Sequence, residues 1–243
     1  MRIYGKNPVI ERLRANPTSI KKIHIEEGFG DAAEIYKRAK KHNLPVMVMR
    51  TDRMDRISRN KNTQGIIADL HDFDYMDYDD FLQQCLDKNR CPVFLDNLQD
   101  PQNLGSIIRS LACLGRFSLV LPTHDSVSVT ETVLKIACGG ENYVPISLVS
   151  NINKSLRKAK DMGFWIVGSV LDGGTDMDGF DWPHPLALVV GSEQSGIRDV
   201  IRQNLDFQIT VPMHVDTMSL NAAQAATVIC YEIARQKRLH NKK

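Results

Sequence analysis

Three polar segments stand at the ends of apolar runs in this 243-residue chain. The first is Leu95-Asp96-Asn97-Leu98-Gln99-Asp100-Pro101-Gln102-Asn103-Leu104-Gly105-Ser106-Ile107-Ile108-Arg109, leading from an apolar strand over 92–95 through a polar turn into a helix. Asn103 stands where that helix is expected to begin, with Gly105 beside it. A helix start offers free backbone N–H groups and a small positive field, which suit an anion. Arg109, nearly two turns on, is a planar cation with five donors able to grip a phosphate or ribose oxygen. Taken alone, these residues fit a capped helix with a surface arginine as well as they fit an active site. Two later segments repeat the odd polarity: Leu188-Val189-Val190-Gly191-Ser192-Glu193-Gln194-Ser195-Gly196-Ile197 and Val211-Pro212-Met213-His214-Val215-Asp216-Thr217-Met218-Ser219-Leu220-Asn221.

In order, spacing and flanking strands, the three segments resemble the motifs of the SpoU (TrmH) family of RNA ribose 2′-O-methyltransferases, within the knotted SPOUT class. The resemblance covers roughly 91–240, and it is closest to the bacterial 23S rRNA guanosine enzymes. It implies S-adenosylmethionine as cofactor, bound largely through backbone groups at Gly191, Val211 and Leu220, with Met213 nearby. It also implies catalytic roles for Asn103, Arg109, Glu193, Ser219 and Asn221. A guanidinium is a poor base, so Arg109 is read as orienting the ribose hydroxyl and stabilising its developing charge, with an RNA phosphate taking the proton. Asn103 and Asn221 can both donate and accept, and Glu193 could fix Arg109 or a nucleotide. Ser219 could touch substrate or simply cap the last helix. The chain departs from the family at Val215, where glycine is usual, and at Ala222-Ala223. A β-branched residue does not readily take a positive φ, so Val215 predicts a reshaped loop. The family's homodimer and carboxyl-terminal trefoil knot are further implications; nothing in the hydropathy pattern reveals a knot.

The elements that must position these residues read as α/β. From Cys91 onward, strands expected over 92–95, 118–121, 143–148, 164–170, 186–190 and 207–211 alternate with helices over 103–114, 131–137, 153–162, 199–203 and 220–238. Near-continuous apolar strands imply a mainly parallel sheet covered on both faces, and ligands of such sheets sit at the carboxyl ends of strands. Three strand ends carry polar loops here, over 169–174, 191–197 and 211–219. No G-x-G-x-x-G follows a strand, which leaves a nucleotide-dependent oxidoreductase without its fingerprint. The Gly139-Gly140 and Gly173-Gly174 pairs read as turns.

Residues 1–70 form a separate small α/β domain in this reading. Asn7-Pro8 opens a helix to about Arg14, a strand follows over 20–26, a helix over 31–42, and strands over 45–49 and 65–70. This domain carries 15 Lys and Arg against 8 Asp and Glu, whereas 71–90 carries 2 against 6 and 91–243 carries 14 against 15. The basic excess, including Lys37-Arg38-Ala39-Lys40-Lys41 and the series Arg50, Arg53, Arg56, Arg59 and Lys61, suggests a surface for a polyanion. A merely solvated basic face is the alternative. The domain resembles the accessory RNA-binding domain of the family, in Gly5-Lys6-Asn7-Pro8-Val9 and in Thr63-Gln64-Gly65-Ile66-Ile67-Ala68, with Thr63 where a histidine is usual. Residues 71–90 read as an acidic linker with a short helix over 78–86 leading into the second domain, and 91–243 as the methyltransferase domain.

Composition is that of a globular protein, 42% hydrophobic and 25% charged, with no apolar run near the roughly 20 residues of a membrane span. The start has no signal core, so a cytoplasmic location is expected. The five cysteines form no CxxC pair, arguing against a metal site or disulfide framework. The expected function is S-adenosylmethionine-dependent 2′-O-methylation of a ribose, a guanosine in 23S rRNA foremost. A tRNA-directed enzyme and a non-catalytic RNA-binding relative are the alternatives.

Overall fold

The computed structural model describes residues 1–59, 61–192, 196–215 and 218–240. The amino-terminal domain runs β1 (Arg2–Tyr4), α1 (Lys6–Ala15), β2 (Ile20–Glu26), α2 (Ala32–Lys41), β3 (Val46–Met49), α3 (Thr51–Ser58) and β4 (Ile66–Leu70). Its sheet has the order β1-β4-β2-β3. The central β4 pairs antiparallel with β1 and β2, and β2 pairs parallel with β3. In α3, Met54 and Ser58 point inward at i, i+4 spacing while Arg53 and Arg56 stay exposed, the division an amphipathic helix produces. Arg50 and Arg59 cap its two ends, so the arginine series does share one element. Thr63 is buried and accepts a hydrogen bond from the Gly65 N–H, holding the turn into β4 without a histidine.

The larger domain runs α4 (Tyr78–Asp87), β5 (Cys91–Leu95), α5 (Pro101–Leu114), β6 (Phe117–Pro122), α6 (Glu131–Ala137), β7 (Ile146–Val149), α7 (Ile152–Asp161), β8 (Trp165–Ser169), β9 (Thr175–Asp176), β10 (Leu186–Val190), α8 (Asp199–Arg202), β11 (Phe207–Thr210) and α9 (Ala222–His240). Its seven strands follow the order β7-β6-β5-β10-β8-β11-β9, every pairing parallel. All residues of β5 and β10 are buried, because helices cover both faces. Val93 and Leu95 belong to the core under α5, α6 and α9, and Phe94 to the core under α4, α7 and α8. This is the period-two alternation of a strand with two apolar faces.

Residues 71–90 are only partly a connector. Met76 bridges to Ser147 beside β7, and Tyr78 donates its hydroxyl to the Ser155 carbonyl at 2.7 Å. Phe81, Leu82 and Cys85 are fully buried, and the Asp77 carboxylate caps α4 by accepting from the Asp79 and Asp80 N–H groups. The acidic residues lie on the outer side of a helix whose apolar stripe belongs to the larger domain.

Polar contacts dock the two domains. Glu131, the first residue of α6, accepts from the Arg2 N–H (2.9 Å), the Tyr4 hydroxyl (3.3 Å) and the Lys61 ammonium (3.0 Å). Burial pushes the Glu131 carboxyl up, but Lys61 and Tyr4 outweigh it and hold it below its ordinary value. Its contribution to docking is therefore full above the ordinary carboxylate pKa and lost on acidification. Arg12 and Glu141 form a second pair at 2.7 Å, with side chains 4% and 2% exposed. Burial moves both towards their neutral forms, Arg12 down and Glu141 up. Such a pair specifies geometry more than it adds stability.

Candidate cofactor and ribose sites

The carboxyl ends of β8, β10 and β11 meet in a narrow hollow. Ser169, Val170 and Leu171 leave β8, Gly191 and Ser192 leave β10, and Val211 and Met213 leave β11; Leu220 and Ala225 close the wall. The three polar loops singled out by sequence thus converge, and Gly191, Val211, Ser219 and Leu220 share this place.

Gly191 is forced by packing. A Cβ there would lie 2.1 Å from the carbonyl carbon of Gly196 and 2.4 Å from the nitrogen of Ile197. The loop closes on itself through Ser192 N–H to Gly196 C=O (3.2 Å) and Gly196 N–H to Ser192 C=O (3.0 Å). Gly196 has φ +63, a conformation glycine takes without strain. Bare backbone is thereby presented to the hollow at the end of β10.

A buried ion pair anchors this loop. Asp96, fully buried at the end of β5, accepts from the Arg198 N–H at 3.1 Å and Nε at 2.8 Å, and lies 2.6 Å from Nη2. Its own N–H donates to the Val190 carbonyl at 2.9 Å. One residue, through its backbone N–H and its carboxylate, therefore joins the entry and exit of the 191–197 loop to the neighbouring strand. Its hydrogen bond raises Arg198 above the ordinary guanidinium value. Sequence reading missed this pair; the available signal was an aspartate directly after a wholly apolar strand. Arg198→Ala is expected to destabilise by about 3–5 kcal/mol because it strands a buried charge. Asp96→Asn should cost less, since Arg198 is 46% exposed and can return to water. Urea unfolding of both variants checks the order.

The first motif differs in detail from its sequence reading. Helix α5 begins at Pro101 rather than at Asn103, and Asp100 caps it, accepting from the Gln102 N–H at 2.8 Å. The helix start expected to be open to an anion already carries the chain's own carboxylate. Asn103 is half-buried in the first turn. Gly105 serves packing: a Cβ would lie 2.6 Å from the Ile136 side chain on α6. Arg109 is exposed and lines a different cleft, with Asn7, Ile10 and Glu11 of α1 and with Gly139, Gly140 and Tyr143. Within one chain, Arg109 and the hollow are separate sites.

The third motif also resolves. Asn221, not Ser219, caps α9: its Oδ1 accepts from the Gln224 N–H at 2.8 Å while Gln224 Oε1 accepts from the Asn221 N–H at 3.1 Å. This is a reciprocal capping box, and it leaves Ser219 exposed at the hollow. Val215 is exposed and is absent from the positive-φ residues, so it does not take the backbone conformation that a glycine would allow there. Glu193 lies outside the described residues. Among the described residues there is no cluster of three or more His, Cys, Asp or Glu able to hold a metal, and no helix long and apolar enough to cross a membrane.

Residues 90–231 match the model of the SpoU rRNA methylase family, and residues 2–76 match that of the RNA 2′-O ribose methyltransferase substrate-binding domain. The chain belongs to the SpoU family of RNA 2′-O-ribose methyltransferases. Among curated relatives, the 23S rRNA (guanosine-2′-O-)-methyltransferase of Neisseria meningitidis is 32% identical over 244 residues, covering 99% of this chain and 97% of the relative. An uncharacterized tRNA/rRNA methyltransferase of Mycobacterium ulcerans is 37% identical over 240 residues, covering 97% and 77%. The fold is shared with the SpoU methyltransferase AviRb from Streptomyces viridochromogenes in complex with AdoMet, with TM-score 0.80, 23% identity and coverage of 98% and 91%. An AdoMet-bound rRNA methyltransferase from Sinorhizobium meliloti gives TM-score 0.81 at 22% identity, covering 97% and 87%. In this SpoU methyltransferase the described residues of the second and third motifs meet at the carboxyl ends of β10 and β11.

Proposed function

We propose that this SpoU methyltransferase uses S-adenosylmethionine to methylate the 2′-hydroxyl of a guanosine in large-subunit rRNA, and that it works as a homodimer. The observation that carries the reading is the glycine cradle at the end of β10, where Gly191 packs against the Gly196 backbone with no room for a side chain. Backbone N–H and C=O groups at that spot, with Val211 and Leu220 as apolar walls, suit an adenosyl group. The two neighbouring parts of the hollow measure about 60 and 30 Å3, smaller than typical ligand sites. Entry of the cofactor therefore requires the hollow to widen.

Bound there, S-adenosylmethionine supplies an electrophilic sulfonium methyl. What remains for the protein is to place a ribose oxygen in line and favour its developing negative charge. Arg109 does this as a donor-only cation beside the 2′-oxygen, an RNA phosphate taking the proton. Asn103 and Asn221 orient the ribose and Arg109, with Ser219 at the rim and Glu193 as the motif carboxylate. Because Arg109 and the hollow are separate within one chain, a second copy brings the Arg109 of one protomer to the cofactor of its partner.

The RNA is held by the amino-terminal domain. A cleft of about 470 Å3 gathers Arg2, Lys21, Lys22, Arg59 and Lys61 around only two carboxylates, Asp69 and Glu131. Burial pushes Asp69 up, but hydrogen bonds from His24 and Arg2 hold it below its ordinary value, so it stays an anchor for cations at neutral pH. Changing both Lys21 and Arg59 to Gln is expected to weaken RNA binding and to flatten the log Kd versus log salt slope by about 2. An unchanged slope in filter-binding titrations removes this cleft from the RNA path.

Labelled-methyl transfer to unmodified 23S rRNA and, separately, to tRNA tests the whole reading. A single 2′-O-methylated guanosine in 23S rRNA is expected. Transfer to tRNA alone reassigns the substrate, and transfer to neither, with no cofactor binding, leaves an RNA-binding relative without chemistry.

A further inference from the structure

The Arg109 cleft is built by both domains, and its chemistry points to a base. It has a volume of about 390 Å3, inside the roughly 300–1,000 Å3 of small-ligand sites. Helix α1 of the amino-terminal domain contributes Asn7, Ile10 and Glu11, and the larger domain contributes Arg109, Gly139 and Tyr143. The Gly139-Gly140 pair, a turn in the sequence reading, is what lets the two walls close. A Cβ on Gly139 would strike the Glu11 Cγ at 2.7 Å, and one on Gly140 would lie 3.2 Å from the Arg109 Cα. Gly139 has φ +93, so the turn itself also requires glycine.

The polar groups of this cleft are not a set for phosphate. Glu11 is an anion with its side chain 27% exposed. Its Oε1 accepts the Tyr143 hydroxyl and lies 3.9 Å from the Arg14 Nε. Among the described residues no donor reaches Oε2 within hydrogen-bond distance. Tyr143 is 41% exposed, and an aromatic ring is a surface on which an unstacked base can lie. Asn7, also exposed, can donate or accept, and Ile10, Ala112 and Ala137 give the lining its apolar part.

We infer that this interdomain cleft receives the base of the target nucleotide and that Glu11 selects guanine. The inference rests on the methyl-transfer reading, because Arg109 then holds the ribose of that nucleotide. A carboxylate only accepts. On the Watson–Crick edge, guanine alone offers two adjacent donors, N1–H and the N2 amino group. Adenine and cytosine set an acceptor beside their single amino group, and the uracil N3–H is flanked by two carbonyls. Guanine O6 then remains for the Asn7 amide. The amino-terminal domain thus does more than hold RNA: α1 is one wall of the nucleotide pocket, and Glu11 is a specificity-determining residue carried by a different domain from the cofactor.

The test begins with wild-type enzyme on unmodified 23S rRNA and tRNA transcripts, digestion to nucleosides, and identification of the methylated nucleoside by mass spectrometry. The mapped position is then rebuilt with inosine, which lacks the N2 amino group. In the wild type inosine should lower kcat/KM by about 10- to 100-fold, the size of a charge-assisted hydrogen bond. In Glu11→Gln, which keeps the packing on Gly139, kcat/KM on guanosine should fall to a similar extent. The same inosine swap should then cost little more, with S-adenosylmethionine affinity and melting temperature unchanged. A 2′-O-methylated nucleoside other than guanosine overturns the inference, as does an inosine penalty equal in wild type and Glu11→Gln. Both leave the methyltransferase reading standing, whereas no transfer by the wild type overturns the activity beneath it.

Discussion

Replacing Arg109 by alanine should all but abolish methyl transfer, lowering kcat by about 10²- to 10³-fold, the scale of losing a donor aimed at a developing oxyanion. S-adenosylmethionine affinity should stay within about threefold and the melting temperature within a few degrees. Arg109 lies outside the hollow where Gly191, Val211 and Leu220 meet, which is why binding should survive. It is exposed and its Cα already packs on Gly140, so removing the guanidinium leaves α5 in place. Because the loss falls on transition-state charge, substrate KM should move little. Single-turnover methyl transfer beside calorimetric cofactor titration separates the two quantities. Wild-type turnover in this variant sinks the assignment of Arg109.

Gly191→Ala should do the reverse, removing cofactor binding by more than about 100-fold while the chain still folds. The added methyl group would stand 2.1 Å from the Gly196 carbonyl carbon and 2.3 Å from its oxygen, a collision with backbone rather than with a side chain that can rotate away. The loop cannot simply swing outward, since Asp96 ties Val190 and Arg198 to the same point. Relief must come from opening the Ser192–Gly196 closure, which is the cradle itself. Overpacking of this kind costs about 1–3 kcal/mol of stability, less than the roughly 5–15 kcal/mol that holds a typical domain folded. Equilibrium dialysis with labelled S-adenosylmethionine decides it: a Kd within threefold of the wild type would falsify the cradle as the cofactor site. Together the two variants predict a clean division, chemistry without binding loss at Arg109 and binding loss without unfolding at Gly191.

Much of the scaffold was legible because it rests on local patterns. The apolar runs of β5 and β10 signalled strands covered on both faces, and the alternation of strands and helices signalled the parallel sheet. The polar breaks at 191–197 and 211–219 marked strand ends, whose described residues line the hollow. Legibility was weaker at helix ends. Asp100 and Asn103 are both good capping residues, and the choice between them depended on how the turn after β5 leaves the sheet. Ser219 and Asn221 posed the same choice, decided by Gln224 three residues beyond Asn221, the partner a capping box needs. In the acidic 71–90 stretch the helix expected over 78–86 is present as Tyr78–Asp87, but how deeply it is buried was not legible. Charge described its outer face, while Phe81, Leu82 and Cys85 at helical spacing described the buried one.

By itself, the sequence determined the two-domain α/β plan, the basic character of the first domain and the three motifs, since periodicity, composition and short-range spacing are properties of neighbouring residues. Tertiary structure alone decided which distant residues meet. Asp96 and Arg198 are 102 positions apart, and Arg12 and Glu141 are 129 apart. Glu11 and Arg109 share a cleft only because Gly139 and Gly140 let two helices approach the same turn from opposite sides. Such pairings depend on strand order, with β10 set between β5 and β8, and strand order is settled by the packing of whole faces, on which no local pattern in the chain reports.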